Sequence, residues 1–307
     1  MPALSVVVPA CGTSPHPRQT VGSLLADAPS DLEVIVVDDG STDEMLPIAV
    51  QLAEEDARVR VIHQTDALAA AARNAGLAVA TRDYVGFADD NYEFEPGWVR
   101  GLLSAASHQR PAIVKGEVRL LGREGALITL QTCARMARHS LLHWSGFMDS
   151  AIYRRDFVQD HGLHFAAESD FDGIDFQVRA VVAALLDQEQ ISLCPQAVCR
   201  CLRRPGTTTG TALSRHQVAS CLRTYQGLHE LFLRHYRQLP PTGVGAQYFT
   251  WTRNLFDLAR RAGHPDDGAA ANALAQQLST ECPCCDELEQ ERLALETTAP
   301  GSRLHSP

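Results

Sequence analysis

The chain is short of lysine: Lys115 is the only one among 27 basic residues. Positive charge is therefore carried by arginine, whose planar fork suits phosphates and carboxylates. Biased codon usage accounts for most of these positions. Acidic residues outnumber basic ones, giving a net charge of −10. That balance excludes a general nucleic-acid binder and a binder of anionic membranes. No apolar run approaches the roughly 20 residues that a membrane span requires. No basic stretch followed by an apolar core opens the chain, so no signal peptide is expected and the protein reads as cytoplasmic. Neither G-x-G-x-x-G nor a P-loop follows a strand, which excludes phosphate held on a helix N-terminus in the dinucleotide manner. The nine cysteines are odd in number and scattered, as reduced thiols are. Their one cluster, Cys282-Pro283-Cys284-Cys285, has no matching Cys/His pair at zinc-finger spacing. No internal repeat is present.

What is there is a globular composition of 307 residues, 45% apolar and 21% charged, enough for one large or two modest domains. Val34-Ile35-Val36-Val37 runs straight into Asp38-Asp39-Gly40-Ser41. A short bounded apolar run suits a strand buried on both faces of a parallel sheet. Its acids then lie at the carboxyl end, where open α/β sheets bind ligands. The other reading is an acidic turn that only caps a helix. Strands are predicted over 4–8, 32–37, 59–63 and 84–87, the first stopped by Pro9. Helices are predicted over 21–25, 45–55, 67–80 and 98–107. This alternation predicts an α/β fold with a mostly parallel sheet flanked by helices. The fourth strand also delivers acids, Asp89-Asp90-Asn91. Two acid clusters on one sheet edge call for a hard cation and a diphosphate between them.

These segments carry a resemblance. Val36-Val37-Asp38-Asp39-Gly40-Ser41-Thr42-Asp43 is similar to the most characteristic segment of the family 2 glycosyltransferases, which have the Rossmann-like GT-A fold. Ser5-Val6-Val7-Val8-Pro9 resembles that family's opening strand, and Ala72-Arg73-Asn74-Ala75-Gly76 its Ala-Arg-Asn-x-Gly segment. The stretch from Asp83 to Asn91, followed by Pro96-Gly97-Trp98, resembles the strand carrying the D-x-D motif. The resemblance implies roles. Pro9 and Ala10 would line the base of the donor. Asp39 would bind base or ribose, supported by Asp38. Arg73 would lie near the diphosphate. Asp89 and Asn91 would occupy the D-x-D positions and hold a divalent cation, Mg²⁺ or Mn²⁺. Asn91 departs from the usual aspartate and offers only an uncharged oxygen. Asp90 either turns inward to replace it or is a solvated loop acid. Cys11-Gly12 and Asp66-Ala67 are further departures on the nucleotide side.

In the second half, 112–120 reads as a strand and 131–143 as helical. His139 and His143 stand one turn apart without a third ligand, which favours a surface pair. Ser145 to Asp156 resembles the segment that enters the acceptor site. Many relatives then have Glu-Asp-x-x-Phe, whose aspartate is the general base. Aligned on Phe176, these acids fall on Asp172 and Gly173. The candidate bases are Asp172, Asp175 and, third, Asp170; acids here can also simply cap the helix that runs to Leu186. Arg203-Arg204-Pro205-Gly206 resembles a loop that closes over the diphosphate, which makes Arg204 a donor-binding candidate; an ordinary Pro-Gly turn is the alternative. From Leu213 the apolar residues keep helical spacing. The expected organisation is a GT-A domain over 1–212, a helical C-terminal appendage over 213–296, and a disordered tail over 297–307.

The combined expectation is an inverting, metal-assisted, hexosyltransferase-like enzyme. Its donor would be a nucleotide sugar, a UDP-sugar first among them. Its acceptor would be the hydroxyl of a glycan, polymer or natural product. The alternative is a catalytically degenerate member of the same fold that binds a sugar nucleotide or glycan, because Asn91 and Gly173 alter two positions that carry the family's chemistry. A nucleotidyltransferase would need a glycine- and lysine-rich loop after the first strand, which is missing.

Overall fold

The computed structural model describes residues 1–10, 17–40, 45–65, 68–89, 92–121, 127–131, 148–166, 169, 171–202 and 214–282. They fall into two compact units that divide between residues 202 and 214.

The first unit alternates strand and helix as β1 (Leu4–Ala10), α1 (Pro17–Leu25), β2 (Glu33–Asp39), α2 (Met45–Glu55), β3 (Val59–Gln64), α3 (Ala69–Val79) and β4 (Tyr84–Phe87). It continues with β5 (Tyr92–Phe94), α4 (Trp98–Ala106), β6 (Ile113–Leu121), β7 (Leu127–Gln131), β8 (Ala151–Arg154), α5 (Arg155–Asp160), α6 (Asp172–Leu186) and β9 (Ile191–Leu202). The sheet order is β3-β2-β1-β4-β8-β6-β9-β5, with β7 beside β6. The first four strands pair in parallel. β8 then joins β4 and β6 antiparallel, while β6 and β9 pair in parallel. The sheet is therefore mixed, with its parallel half formed by the N-terminal strands.

The apolar run of β2 is explained by burial on both faces. Val34 and Val36 join Val6, Val8 and residues of α1, α2 and α4 in one core. On the other face α3 approaches β1 so closely that a Cβ at Gly76 would meet Val7 Cγ1 at 2.3 Å. Each such valine or isoleucine, fully enclosed, stabilises the fold by about 1.5–3 kcal/mol. Pro9 does not stop β1 as expected, since the strand runs on to Ala10. The reason lies in its neighbours. β1 still pairs with β2 at Pro9, but its pairing with β4 ends at Val7. A missing N–H does no harm where the neighbouring strand has already ended.

Four strands were not anticipated. β5 is only three residues long. β7 takes in Gln131, which was read as opening a helix. β8 and β9 carry a lone acid before the first and Pro195 inside the second. β9 tolerates Pro195 because its register with β6 slips between Lys115 and Glu117, a bulge that needs no ladder bond from the proline. Residues 132–143 lie outside the described residues.

The second unit contains α7 (Arg215–His235), α8 (Pro241–Arg261) and α9 (Pro265–Glu281). Ser214 and Gln217 form a capping box at the start of α7, satisfying two otherwise unpaired amides. Tyr225, Phe232, Tyr248 and Trp251 make an aromatic core. Inside it, His229 is held between the Tyr248 hydroxyl at 2.6 Å and Glu281 at 3.0 Å. Among the described residues no helix is long and apolar enough to cross a membrane.

Glu33 ties the amino-terminal edge of the sheet together. It accepts hydrogen bonds from Ser5 Oγ at 2.6 Å, Thr81 N at 3.0 Å, Thr81 Oγ1 at 3.1 Å and Arg60 Nη1 at 2.8 Å. Burial alone would raise its pKa, but the Ser5 hydroxyl, the Thr81 amide and Arg60 together hold it below the ordinary glutamate value. A depressed folded pKa means that this stabilisation is present above the unfolded value and lost as pH falls through the folded one. Glu33→Gln is expected to cost about 1–3 kcal/mol at neutral pH. Urea unfolding should show the gap to wild type closing as pH falls from about 5 to about 3.

Candidate active site

The carboxyl edge of the parallel strands brings the acid clusters together. Ala10 pairs with Asp38, and Ala88 N–H donates to Val7 O at 2.9 Å just beyond β4. The end of β1 therefore lies between Asp38-Asp39 on one side and Asp89 on the other. Two strand spacings, about 10 Å, separate the two clusters. Neighbouring residues of a strand face opposite ways, and each acid of the first pair has its own partner on β3. Asp38 Oδ2 lies 2.6 Å from His63 Nδ1, and Asp39 Oδ1 accepts from Gln64 Nε2 at 3.1 Å. Asp38 is wholly enclosed, and its Oδ1 is buried without a hydrogen-bond partner among the described residues. Pro9 and Ala10 are buried at the same edge.

Arg73 occupies the middle of the site. It lies in the N-terminal half of α3, the end nearest this edge, and is only 6% exposed. Nη2 donates to Asp89 Oδ1 at 2.5 Å, and Nη1 donates to Asp172 Oδ2 at 2.6 Å. The guanidinium also lies over the Phe165 ring, 5.6 Å from its centroid. The next residue, Asn74, locks that ring in place. Its amide donates to Phe165 O and accepts from Phe165 N, each at 2.8 Å. Phe165 stacks on Phe176 at 4.4 Å, and both meet Phe87 edge-on. An apolar floor of aromatic rings thus supports a charged upper layer.

Two buried acids complete that layer. Asp172 opens α6, where negative charge is favoured by the helix dipole. Burial raises its pKa, Arg73 opposes the shift, and the net direction is upward. Asp149, in a single 3-10 turn before β8, accepts from Asp89 N–H at 3.0 Å. Burial and the Asp89 charge, opposed by Arg73, push it up to about 8. Asp89 and Asp172 therefore share one guanidinium with Asp149 beside Asp89, which leaves the site with an excess of hard oxygen donors. Among the described residues no three His, Cys, Asp or Glu side chains are grouped to hold a metal ion by themselves.

The structure thus gathers Pro9, Ala10, Asp38, Asp39, Arg73 and Asp89 at one edge and joins Asp172 to them. Asp175 turns elsewhere: it accepts from Arg179 Nε at 2.8 Å, and that arginine also bonds His164 O. A Cβ at Gly173 would meet Met148 Sδ at 3.0 Å, so the position is closely packed. Asp90, Asn91, Asp170, Arg204, His139 and His143 lie outside the described residues. Cys282 is buried, and the other cysteines of its cluster also lie outside them. Asp149 was missed from sequence. The signal was present in reverse, an acid one residue removed from the apolar Ala151-Ile152-Tyr153. β8 runs antiparallel to β4, so its beginning lies where the parallel strands end.

Comparison with known proteins agrees with this architecture. The model of "Glycosyl transferase family 2" matches residues 5–167. The glycosyltransferase EpsJ of Bacillus subtilis is 41% identical over 93 residues, 30% of this chain and 27% of that protein. The glycosyltransferase YibD of Escherichia coli is 30% identical over 179 residues, 53% of this chain and 52% of that protein. The chain therefore spans about half or less of the length of these relatives. Among solved structures, S. aureus TarS 1-349 in complex with UDP-GlcNAc superposes with a TM-score of 0.57 at 15% identity, covering 95% of this chain and 92% of that one. That likeness is one of fold, the GT-A type.

Removing the central cation should be costly because it strands buried carboxylates. Arg73→Leu is expected to destabilise the protein by about 3–5 kcal/mol in denaturant titrations at neutral pH. Arg73→Lys keeps the charge but not the two-pronged geometry, and its loss should be smaller.

Proposed function

The chain belongs to the family 2 glycosyltransferases, and on that footing we propose that it transfers a sugar from a nucleoside-diphosphate donor to an acceptor hydroxyl with inversion at the anomeric carbon. The observation that carries this reading is the Asp89–Arg73–Asp172 chain of ion pairs at the carboxyl edge of the sheet. It links an acid of the donor side to a buried acid suited to proton transfer. The crystallised complexes of S. aureus TarS with UDP-GlcNAc and with UDP support a UDP-sugar as donor. The acceptor class stays broad: a glycan, a polymer or a natural product.

In this reading Pro9, Ala10 and Asp39 meet the base and ribose, with Asp38 behind them. Arg73 and Arg204 face the diphosphate. The acceptor hydroxyl attacks the anomeric carbon from the side opposite the diphosphate. The bond from that carbon to the diphosphate oxygen breaks, and the hydroxyl proton passes to Asp172. Burial raises the proton affinity of Asp172, while Arg73 at 2.6 Å opposes that rise and orients the carboxyl group. Asp175 is engaged with Arg179 and is the weaker candidate.

The excess of hard oxygen donors, without a protein cage among the described residues, fits a magnesium or manganese ion shared with a diphosphate. Asp89 and Asn91 would hold it, and it would offset the negative charge gathering on the leaving group. A second reading, a binder without turnover, rests on one observation: the tightly packed Gly173 offers no carboxylate where many relatives have their base.

Turnover separates these readings. With a UDP-sugar and Mn²⁺, Asp172→Asn should lower kcat by about 10²–10⁴-fold with little change in donor KM. Asp175→Asn should stay within about threefold of wild type. Asp39→Ala and Asp89→Ala should each abolish donor binding, seen as loss of the ligand-induced rise in Tm. Saturable donor binding with no release of sugar in the wild type would favour the binder, and full activity in both Asp39→Ala and Asp89→Ala would remove the donor site from this edge.

A further inference from the structure

The Asp89 carboxylate is set from more than one direction. Its side chain is held by Arg73. Its main chain is held separately on both sides. Tyr92 N–H donates to Asp89 O at 3.1 Å, and Asp89 N–H donates to Asp149 Oδ1 at 3.0 Å.

The second of these bonds is needed because the strand ladder has run out. Pairing of β4 with β8 ends at Gly86 and Ile152, and pairing of β4 with β1 ends at Phe87 and Val7. Ala88 N–H still reaches Val7 O. Asp89 N–H is the first amide past both neighbours, and a side chain takes the place of the missing strand. A buried amide left without an acceptor would cost the full desolvation of that group.

Asp149 is 4% exposed, between Met148 and Ser150, which are buried as well. Its carboxyl oxygen is aimed at the main-chain amide of Asp89, so its effect on chemistry passes through that neighbour. A group kept in such surroundings and aimed at one amide has a positional task.

We propose that Asp149 is a positioning residue for donor binding: it fixes the main chain of Asp89 at the end of β4, so that the Asp89 carboxylate meets an incoming diphosphate at one set place. This rests on the donor-binding reading given above. It assigns a role to a residue outside the strand-end acid pairs, and it explains how an acid two residues past the end of β4 is held in place before any ligand arrives.

The test uses the full chain and two readouts. One is hydrogen exchange over the peptide containing Asp89. The other is calorimetric titration with UDP at saturating MnCl₂. Asp149→Asn keeps an oxygen that accepts the Asp89 amide, and both readouts should stay within about twofold of wild type. Asp149→Ala should exchange faster at Asp89 and bind UDP about tenfold more weakly, the scale of one lost hydrogen bond to a buried group. Should Asp149→Ala not fold, Asp149→Ser, with a shorter acceptor, takes its place with a smaller loss in both readouts. Unchanged exchange and affinity in the acceptor-deleted variant would overturn the positioning role alone. Equal losses in Asp149→Asn and Asp149→Ala would overturn it too, because charge and not the accepted amide would then be what matters. A wild type that binds neither UDP nor any other nucleoside diphosphate would overturn the donor reading, and the positioning role with it.

Discussion

One buried guanidinium sets the terms for the rest of the first unit. Arg73 is enclosed, charged and shared between two carboxylates from distant parts of the chain. Arginine stays protonated in such a place, so its neighbours must answer it with negative charge. Asp89 arrives on the end of a strand and Asp172 on the start of a helix. The contacts are 16 and 99 residues apart in sequence, and they can form only when α3, β4 and α6 are all in place. The aromatic floor of Phe87, Phe165 and Phe176 removes water from one side of the group. Each ion pair is therefore less screened than it would be at the surface, and each is less dispensable.

The sheet explains why acids from so many segments meet. Parallel strands all end on one edge, so β2 and β4 deliver their acids there. A wholly parallel sheet would stop at that. Here β8 enters in the opposite direction between β4 and β6, and the turn just before it, with Asp149, falls on the same edge. The mixed sheet thus adds Asp149 from the start of a strand to acids from the ends of others.

Much of this was legible in the sequence. Runs such as Val34–Val37 and Tyr84–Phe87, each followed by acids, specify both a buried strand and its active edge. The alanine-rich stretch around Arg73 marked a helix; its tight approach to the sheet, Gly76 against Val7, is the reason that the glycine is needed. What was illegible depended on partners remote in sequence. Pro9 read as a stop because nothing local reveals that β4 has already ended beside it. Pro195 hid β9 because a bulge is a property of two strands. Asp149 was invisible because strand direction decides which end of a run faces the crevice, and direction is a property of the whole sheet. Asp172 and Asp175 read alike in sequence, and the structure gives them different partners, Arg73 for the one and Arg179 for the other.

The two ends of β2 hold different things. Glu33 gathers Ser5, Arg60 and Thr81 at one end, and the acids of the crevice stand at the other, about 20 Å away along the strand. Groups that far apart, with no shared partner, make contributions that sum independently. On the donor-binding reading, robustness and specificity reside at opposite ends of the same seven residues, and a lineage can remodel what the acidic end recognises while the clasp at the far end remains as it was.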